Sequence, residues 1–290
     1  DQDDYFNNKI ASIFEEEKPN QILFSYLKND ICIGYGGLVH INWLDKNAEI
    51  SFIMNTELEK DYFEFHWSMF LSLIEKVAFQ ELNLFKIFTY AFDVRPNLYK
   101  VLEKSLFVNE AILKEHCLFN EKYIDIFIHS KINKDYLYFR NAKSCDVEIY
   151  YNWLNNIEVR NQSYNSSIVG FESHKNWFES KIKDEKCLML IFQNNDKNNI
   201  GQIRIQKHKI NEALIGISID EKYRSKNYAS RTLKIASEYF LSLNPEFIIN
   251  AFIKTENIGS EKAFKKGGFE FAGIIQHKNH QSFHYINKTK

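Results

Sequence analysis

Hydrophobic and polar positions run through the same order twice, once in each half of the chain. In the first half, Ala48-Glu49-Ile50-Ser51-Phe52-Ile53-Met54-Asn55 is β-branched and aromatic with small polar residues between, which predicts a strand. Trp67, Phe70, Leu71, Ile74, Val77 and Ala78 then recur at i, i+3, i+4 spacing, which predicts a helix with one apolar face. A strand over 85–90, a short helix over 98–104 and a hairpin turning at Glu121-Lys122 complete the run. The second half repeats it. A strand over 213–220 precedes a helix with Leu233, Ala236, Phe240 and Leu243 on one face. A strand over 247–253 follows, then a short helix over 260–266 stopped by Gly267-Gly268, and a hairpin over 269–286. Such self-similarity predicts two copies of one α/β arrangement in tandem.

Ahead of the shared run the halves differ. The second carries a strand over 136–140, helices around 147–153 and 172–182, and strands over 187–192 and 200–206. The first has a helix over 4–17 and strands over 21–27 and 31–41, and its opening strand and helix are missing. Either the chain is cut inside that domain or another region completes it. The polar stretch Ile132-Asn133-Lys134 reads as a short linker, giving domains 1–133 and 134–290.

Composition narrows the function classes. A chain of 290 residues suits two domains, and 25 Phe and 16 Tyr within a 44% hydrophobic content point to aromatic cores. A formal net charge of −1 provides no basic field for nucleic acid or an anionic membrane. No apolar run approaches the ~18 residues of a membrane span, and Asp-Gln-Asp-Asp does not open a signal peptide. Cys32, Cys117, Cys145 and Cys187 lie far apart, so neither a zinc site nor a disulfide framework is expected, and a reduced, cytoplasmic setting is. A start without Met is expected of a fragment, a processed chain or part of a larger polypeptide; a homo-oligomer is equally compatible.

The chemistry is expected between strand and helix in the second half, at Asp220-Glu221-Lys222-Tyr223-Arg224-Ser225-Lys226-Asn227-Tyr228-Ala229-Ser230. A helix start offers unpaired N–H groups and the positive end of the helix dipole, and small residues let a pyrophosphate approach. Arg224 and Lys226 add charge. This loop resembles the pyrophosphate loop of the GNAT superfamily of N-acetyltransferases, Arg/Gln-x-x-Gly-x-Gly/Ala, with Arg224, Asn227 and Ala229 on its positions and Asn in place of one glycine. Asn tolerates the positive φ that glycine supplies. A second block is similar too: Asn257-x-x-Ser260, Phe264, Lys266 and Gly268-Phe269, with Phe where the family often has an acidic Tyr. The resemblance implies a mixed, mostly antiparallel twisted sheet flanked by helices in each half, an α/β (α+β) fold. It also implies acetyl-CoA as co-substrate, without a metal, bound by Ile217, Ile219, Arg224, Ser225, Lys226, Asn227, Tyr228, Ala229, Ser230, Asn257, Ser260 and Phe264. Around residues 150–160 and 173–178 the second half resembles GNAT domains of bacterial nonulosonate and other amino-sugar pathways. That implies a small-molecule amine acceptor, an amino sugar that is nucleotide-linked.

The first half resembles the same core with its loop altered. Aligning Asn55 with Asp220 puts Glu59 at the position of Arg224 and Glu64 at that of Ala229, and acidic side chains repel a pyrophosphate. Arg95 replaces Asn257, and Leu106 replaces Gly268. Conversely, Glu49 stands on the strand where the second half has Leu214, a position that supplies a general base in some relatives. The first domain is therefore expected to be degenerate at the coenzyme site.

Direct transfer needs a proton acceptor for the amine. His174 is one candidate because an imidazole titrates near neutrality; a water held by Gln202, Glu212 or Ser218 is another. Trp153, Arg160, Tyr164 and Trp177 are candidates for a sugar pocket, with Arg160 suited to a phosphate. Each has a plainer reading as well: Trp153 and Trp177 as core, His174 as a structural histidine, Arg160 as an exposed charge. His277, His280 and His284 invite a metal reading, but hairpin spacing is expected to scatter them over both faces and the turn. An aminoglycoside or a protein N-terminus is a competing acceptor, and a non-catalytic binding module is the competing class.

Overall fold

The computed structural model describes residues 16–289, which part into two compact units at Tyr136/Leu137. In the first unit, β1 (Ile22–Lys28), β2 (Ile31–Asn42), β3 (Asn47–Met54), β4 (Lys86–Phe92), β5 (Val108–Phe119) and β6 (Lys122–Ile132) form one sheet in the order β1-β2-β3-β4-β6-β5. Every neighbouring pair is antiparallel except β3–β4. Helix α1 (Thr56–Glu75) continues into a π-helical segment, Lys76–Glu81, and α2 is Pro96–Lys104. Alternation along β3 turns Ala48, Ile50, Phe52 and Met54 inward, into the core that Trp67, Phe70, Leu71 and Ile74 of α1 complete. Phe52 stacks on Phe70 with ring centroids 4.0 Å apart. The β5–β6 turn falls at Asn120-Glu121, one residue earlier than expected; both have positive φ (48° and 63°), the conformation of a tight hairpin turn.

The second unit contains β7 (Tyr138–Asn141), α3 (Val147–Asn155), α4 (Ile157–Gln162), α5 (Phe171–Ile182), β8 (Cys187–Gln193), β9 (Asn199–Lys209) and β10 (Glu212–Ile219). It continues with α6 (Tyr228–Leu243), β11 (Ile248–Lys254), α7 (Ile258–Lys266), β12 (Glu270–His277) and β13 (His280–Lys288). Read from β7, the sheet order is β7-β8-β9-β10-β11-β13-β12. Strands β8–β13 thus repeat the first unit's topology strand for strand, with β10–β11 as the parallel pair. The repeat inferred from the periodicity is a repeat of fold. Strand β7 and helices α3–α5 have no counterpart among the described residues of the first unit. Of the helix expected over 4–17, residues 4–15 lie outside the described residues, and Glu16 and Glu17 are not helical.

Both faces of the second sheet are covered. Leu190 and Phe192 of β8 join the core under α6 and α7, while Met189 and Ile191, on the other face, pack with Tyr150, Trp153 and Phe178. In the first unit the face opposite α1 carries the half-exposed Leu23, Tyr35 and Ile53. Asn133 is buried and donates from Nδ2 to the carbonyl of Leu84 at 2.9 Å, so this polar residue closes the first unit's fold. Helix α4 was not anticipated: its one buried side chain is Arg160, so no apolar period announces it. Among the described residues, no helix is long and apolar enough to cross a membrane.

One partly buried ion pair ties β7 to the N-cap of α3. Arg140 donates from both terminal nitrogens to Asp146, at 2.7 and 2.8 Å, and the Lys143 N–H adds a third hydrogen bond at 2.7 Å. Burial alone would raise the pKa of Asp146, but these donors outweigh it and hold the carboxyl below its usual 3.8. A carboxyl lowered in the folded state stabilises above the unfolded value and loses that stabilisation as pH falls through the folded one. Asp146→Asn is expected to cost about 2–3 kcal/mol in urea unfolding at pH 7. The gap to wild type should close only below the ordinary carboxylate range.

Candidate functional site

The parallel pair that is central to the second sheet is short. Glu212, Ala213 and Leu214 of β10 pair with Ile248, Ile249 and Asn250 of β11, and beyond them the strands part. On its other side β10 stays paired with β9 to the end, from Ala213↔Lys207 to Ile219↔Gly201. Ile215–Ile219 therefore present an unpaired backbone edge toward Phe252, Ile253 and Lys254, and a cleft of about 790 Å³ opens between the two stretches. A Cβ built on Gly216 would meet nothing within 4 Å.

The loop at the end of β10 turns into α6 across the mouth of this cleft. Asp220 anchors it with both carboxylate oxygens: one accepts the Lys222 N–H at 3.0 Å and the other the Trp153 indole N–H at 3.0 Å. Arg224 folds back, donating from Nε to the carbonyl of Ile219 at 3.1 Å and from a terminal nitrogen to Asn156 Oδ1 at 2.9 Å. It also pairs with the carboxylate of Glu158. Ser225 and Asn227 have φ of 60° and 61°, so the glycine-like position is met by a left-handed Asn. Asn227 is the N-cap of α6, and its side chain makes no capping hydrogen bond. A left-handed residue followed by helical ones turns successive N–H groups into one hollow, where the helix dipole is positive.

Ser225, Asn227, Tyr228, Ala229 and Ser230 line the cleft, with Asn257, Ser260 and Phe264 opposite. Asn257 caps α7, its Oδ1 accepting the Ser260 N–H at 3.0 Å. Ile217, Ser218, Ile219 and Arg224 complete the expected residues gathered there. Lys226 is not among the lining residues; its ammonium lies 5.8 Å from the Tyr223 ring. The lining cations Arg224, Lys254, Lys262 and Lys266 outnumber the lining anion Glu158, which gives the cleft an anion-attracting field. Lys254, Lys262 and Glu158 were not anticipated. Lys262 and Lys266, four apart on α7, could have been read as one helical face. Lys254 is 7% exposed and donates to the carbonyl of Asn161 at 3.2 Å, a contact that no sequence spacing reveals.

Several candidates are not brought to the cleft. His174 is buried among Tyr151, Trp177 and Phe178, with Nε2 3.1 Å from the carbonyl of Val147. Burial pushes its pKa below 6.5, but it lies under a helical layer rather than on the cleft lining. Glu212 stands at the far end of β10 from Ser218, about 20 Å along the strand, and approaches Lys209 at 3.8 Å. Gln202 pairs across from Ser218 on β9, and its buried Oε1 has no partner in the described structure. Trp153 is core, acting through its bond to Asp220. Trp177 carries the Arg204 guanidinium 5.3 Å over its ring. Arg160 is buried and holds the following loop, donating to the Ser167 carbonyl at 3.0 Å and Ser163 Oγ at 2.9 Å. Tyr164 pins that loop to β13 through a 2.8 Å bond with Ser282 Oγ.

The histidine trio is a correction. His277 pairs with His280 across a two-residue turn, and His280 and His284 are an even number apart on β13, so the three share one face. His277 stacks on Phe252 at 4.3 Å, His284 lies 4.9 Å from the same ring, and Tyr164 contacts both His277 and His280. Among the described residues, no group of three or more His, Cys, Asp or Glu is arranged to hold a metal ion.

The first unit has the same splay, β3 and β4 pairing only from Asn47↔Lys86 to Glu49↔Phe88. Its helix end is different. Asn55 has φ −56° and caps α1 with its own side chain, accepting the Glu57 N–H at 2.9 Å. Glu57 and Glu59 occupy the first turn; Arg95 pairs with Glu59 at 3.2 Å, and Lys104 pairs with Glu64. Glu49 is engaged by His40 Nδ1 at 2.8 Å.

The left-handed Asn227 yields a stability test. Asn227→Val forces a β-branched residue into that region and is expected to lower stability by about 1–2 kcal/mol. Asn227→Gly should stay within about 0.5 kcal/mol of wild type, both read from urea midpoints.

Comparison with known proteins agrees with this geometry. Two models of the acetyltransferase (GNAT) domain match the chain, one over residues 1–128 and the other over 136–270. No curated protein matches the sequence. Similar solved structures include the aminoglycoside acetyltransferase AAC(6')-Ib in complex with ribostamycin and coenzyme A, at 15% identity and a TM-score of 0.47, covering 52% of this chain and 93% of that one. A spermidine N-acetyltransferase from Vibrio cholerae in complex with CoA and spermine gives 17% identity, a TM-score of 0.47, and coverage of 52% and 93%. A GNAT-family acetyltransferase from Bacillus anthracis gives 20% identity, a TM-score of 0.45, and coverage of 52% and 92%. With one match in each half, the chain belongs to the GNAT acetyltransferase superfamily as two domains in tandem.

Proposed function

We propose that the second domain is an acetyl-CoA-dependent N-acetyltransferase that acetylates the amine of a nucleotide-linked amino sugar, and that the first domain does not bind the coenzyme. One observation carries this reading: the left-handed entry to α6, where the Asn227 side chain makes no capping bond, at the mouth of a cleft whose charged lining is mainly basic. A pyrophosphate suits those N–H groups and that field. The free edge of Ile215–Ile219 suits an amide-bearing arm laid along it as an extra strand would lie.

Transfer then runs by direct attack. The cleft holds the amine against the thioester carbonyl, and backbone N–H groups on β10 stabilise the oxyanion. Phe264 offers no proton to the leaving sulfur, and the cost is small: a thiol of pKa about 8.5 leaves readily as its thiolate near neutral pH. For the acceptor, the aromatic surface of Phe252, Tyr164 and His277 suits the C–H faces of a sugar ring. The first domain is read as silent because Asn55 already satisfies the helix end and Glu57 and Glu59 occupy its first turn.

Calorimetry with acetyl-CoA tests the reading. Wild type should bind one equivalent. Arg224→Glu should weaken binding by roughly ten- to hundredfold, because it releases the loop that Arg224 ties to Ile219, Asn156 and Glu158 and reverses a charge on the cleft lining. Glu59→Ala should leave it unchanged. No binding by wild type, or equal losses from both variants, would refute the assignment. Thiol release with an amino sugar, an aminoglycoside and spermidine then ranks the acceptors; no turnover of any amino sugar would remove that substrate class.

A further inference from the structure

Asn250 is the last residue of β11 paired with β10, opposite Leu214, so it stands at the apex where the two strands part. It is 7% exposed. Its Nδ2 lies 3.5 Å from the carbonyl of Ala213 and 3.4 Å from that of Ile248, which leaves Oδ1 facing Nε2 of His284 at 2.8 Å. An amide oxygen can only accept, so the proton of the neutral ring sits on Nε2 and Nδ1 keeps a lone pair. Among the described residues Nδ1 has no hydrogen-bond partner, and it is not one of the buried, unpartnered atoms. His284 is not itself a lining residue of the cleft; unlike the fully buried His174 it is only half-buried, and it pairs in register with Phe252, which does line the cleft. A basic nitrogen of fixed tautomer therefore stands beside the apex of the splay.

We propose that His284, oriented by Asn250, accepts the proton of the acceptor amine in the second domain. The proposal rests on the acetyl-transfer reading above. In the balanced step, the ammonium gives a proton to Nδ1, forming an imidazolium. The freed nitrogen lone pair attacks the thioester carbonyl carbon, the C–N bond forms, and the tetrahedral centre collapses with cleavage of C–S. Sulfur leaves with the electron pair as thiolate, and the second amine proton goes to solvent. Burial keeps the imidazole below its usual 6.5 while Glu212 opposes that shift, so the ring is neutral and able to accept at pH 7. The other titratable groups nearby are His277, stacked on Phe252, and Lys254, which is tied to the Asn161 carbonyl.

S-(Bromoacetyl)-coenzyme A tests this without knowledge of the acceptor. A nucleophilic Nδ1 beside the acyl group displaces bromide, forming a C–N bond that mass spectrometry locates. The expected result is a single adduct on His284 of the full chain, blocked by excess coenzyme A and reduced to background in His284→Gln. Asn250→Asp should move the pH midpoint of labelling upward, because a carboxylate on Nε2 favours the imidazolium; a purely structural Asn250 would leave it unmoved. If calorimetry shows coenzyme A bound but the label falls elsewhere or nowhere, or the Asp variant leaves the midpoint unchanged, the proposal is overturned while the coenzyme assignment stands. If wild type binds no coenzyme A, the acetyl-transfer reading fails and the proposal fails with it.

Discussion

Everything about the second domain's site depends on a parallel pairing that stops after three residues. A backbone edge cannot be left bare at no cost, because each unpaired N–H or C=O must find water or a ligand. By parting at Leu214 and Asn250, β10 and β11 expose such an edge inside a walled cleft rather than on an outer strand. The same parting separates the side chains that face it. Lys254 and Phe252 remain on one wall and the loop into α6 on the other.

The two domains show how little is needed to change what that opening can hold. Each has the short parallel pair and the following helix. The helices begin with the same residue type in opposite conformations. Asn55, at φ −56°, turns its side chain onto its own helix, whereas Asn227, at φ 61°, leaves the end open. Acidic side chains in the first turn of α1 already complement its dipole, so nothing further is required there. In the second domain that complement is absent, and the electrostatic demand remains.

Much of this was legible in the sequence because it is local. Strand alternation and helical spacing located the shared elements, and the paired blocks around Arg224 and Asn257 converge on one cleft. What escaped was long-range. Helical spacing on α5 could not tell whether His174 faced a cleft or a core, and core packing decided it. Arg160 has the right chemistry for a phosphate, but the loop at Ser163 and Ser167 claims its donors. The Asn250–His284 bond joins residues 34 apart on neighbouring strands, and only the register of β11 with β13 creates it. The even spacing of His280 and His284 was readable as one face and was misread as scatter.

The ties on the loop before α6 have a further consequence in time rather than in space. Trp153 meets Asp220 across 67 residues of chain, Asn156 meets Glu221 across 65, and Glu158 and Asn156 meet Arg224 across 66 and 68. Contacts at such separation come with a loop-closure entropy that local turns avoid, so they form after the hairpins and helices they join. The loop thus takes its final shape among the last parts of the domain to fold. Changes to those ties should act chiefly by hastening unfolding, so the durability of the site, more than its rate of assembly, depends on them.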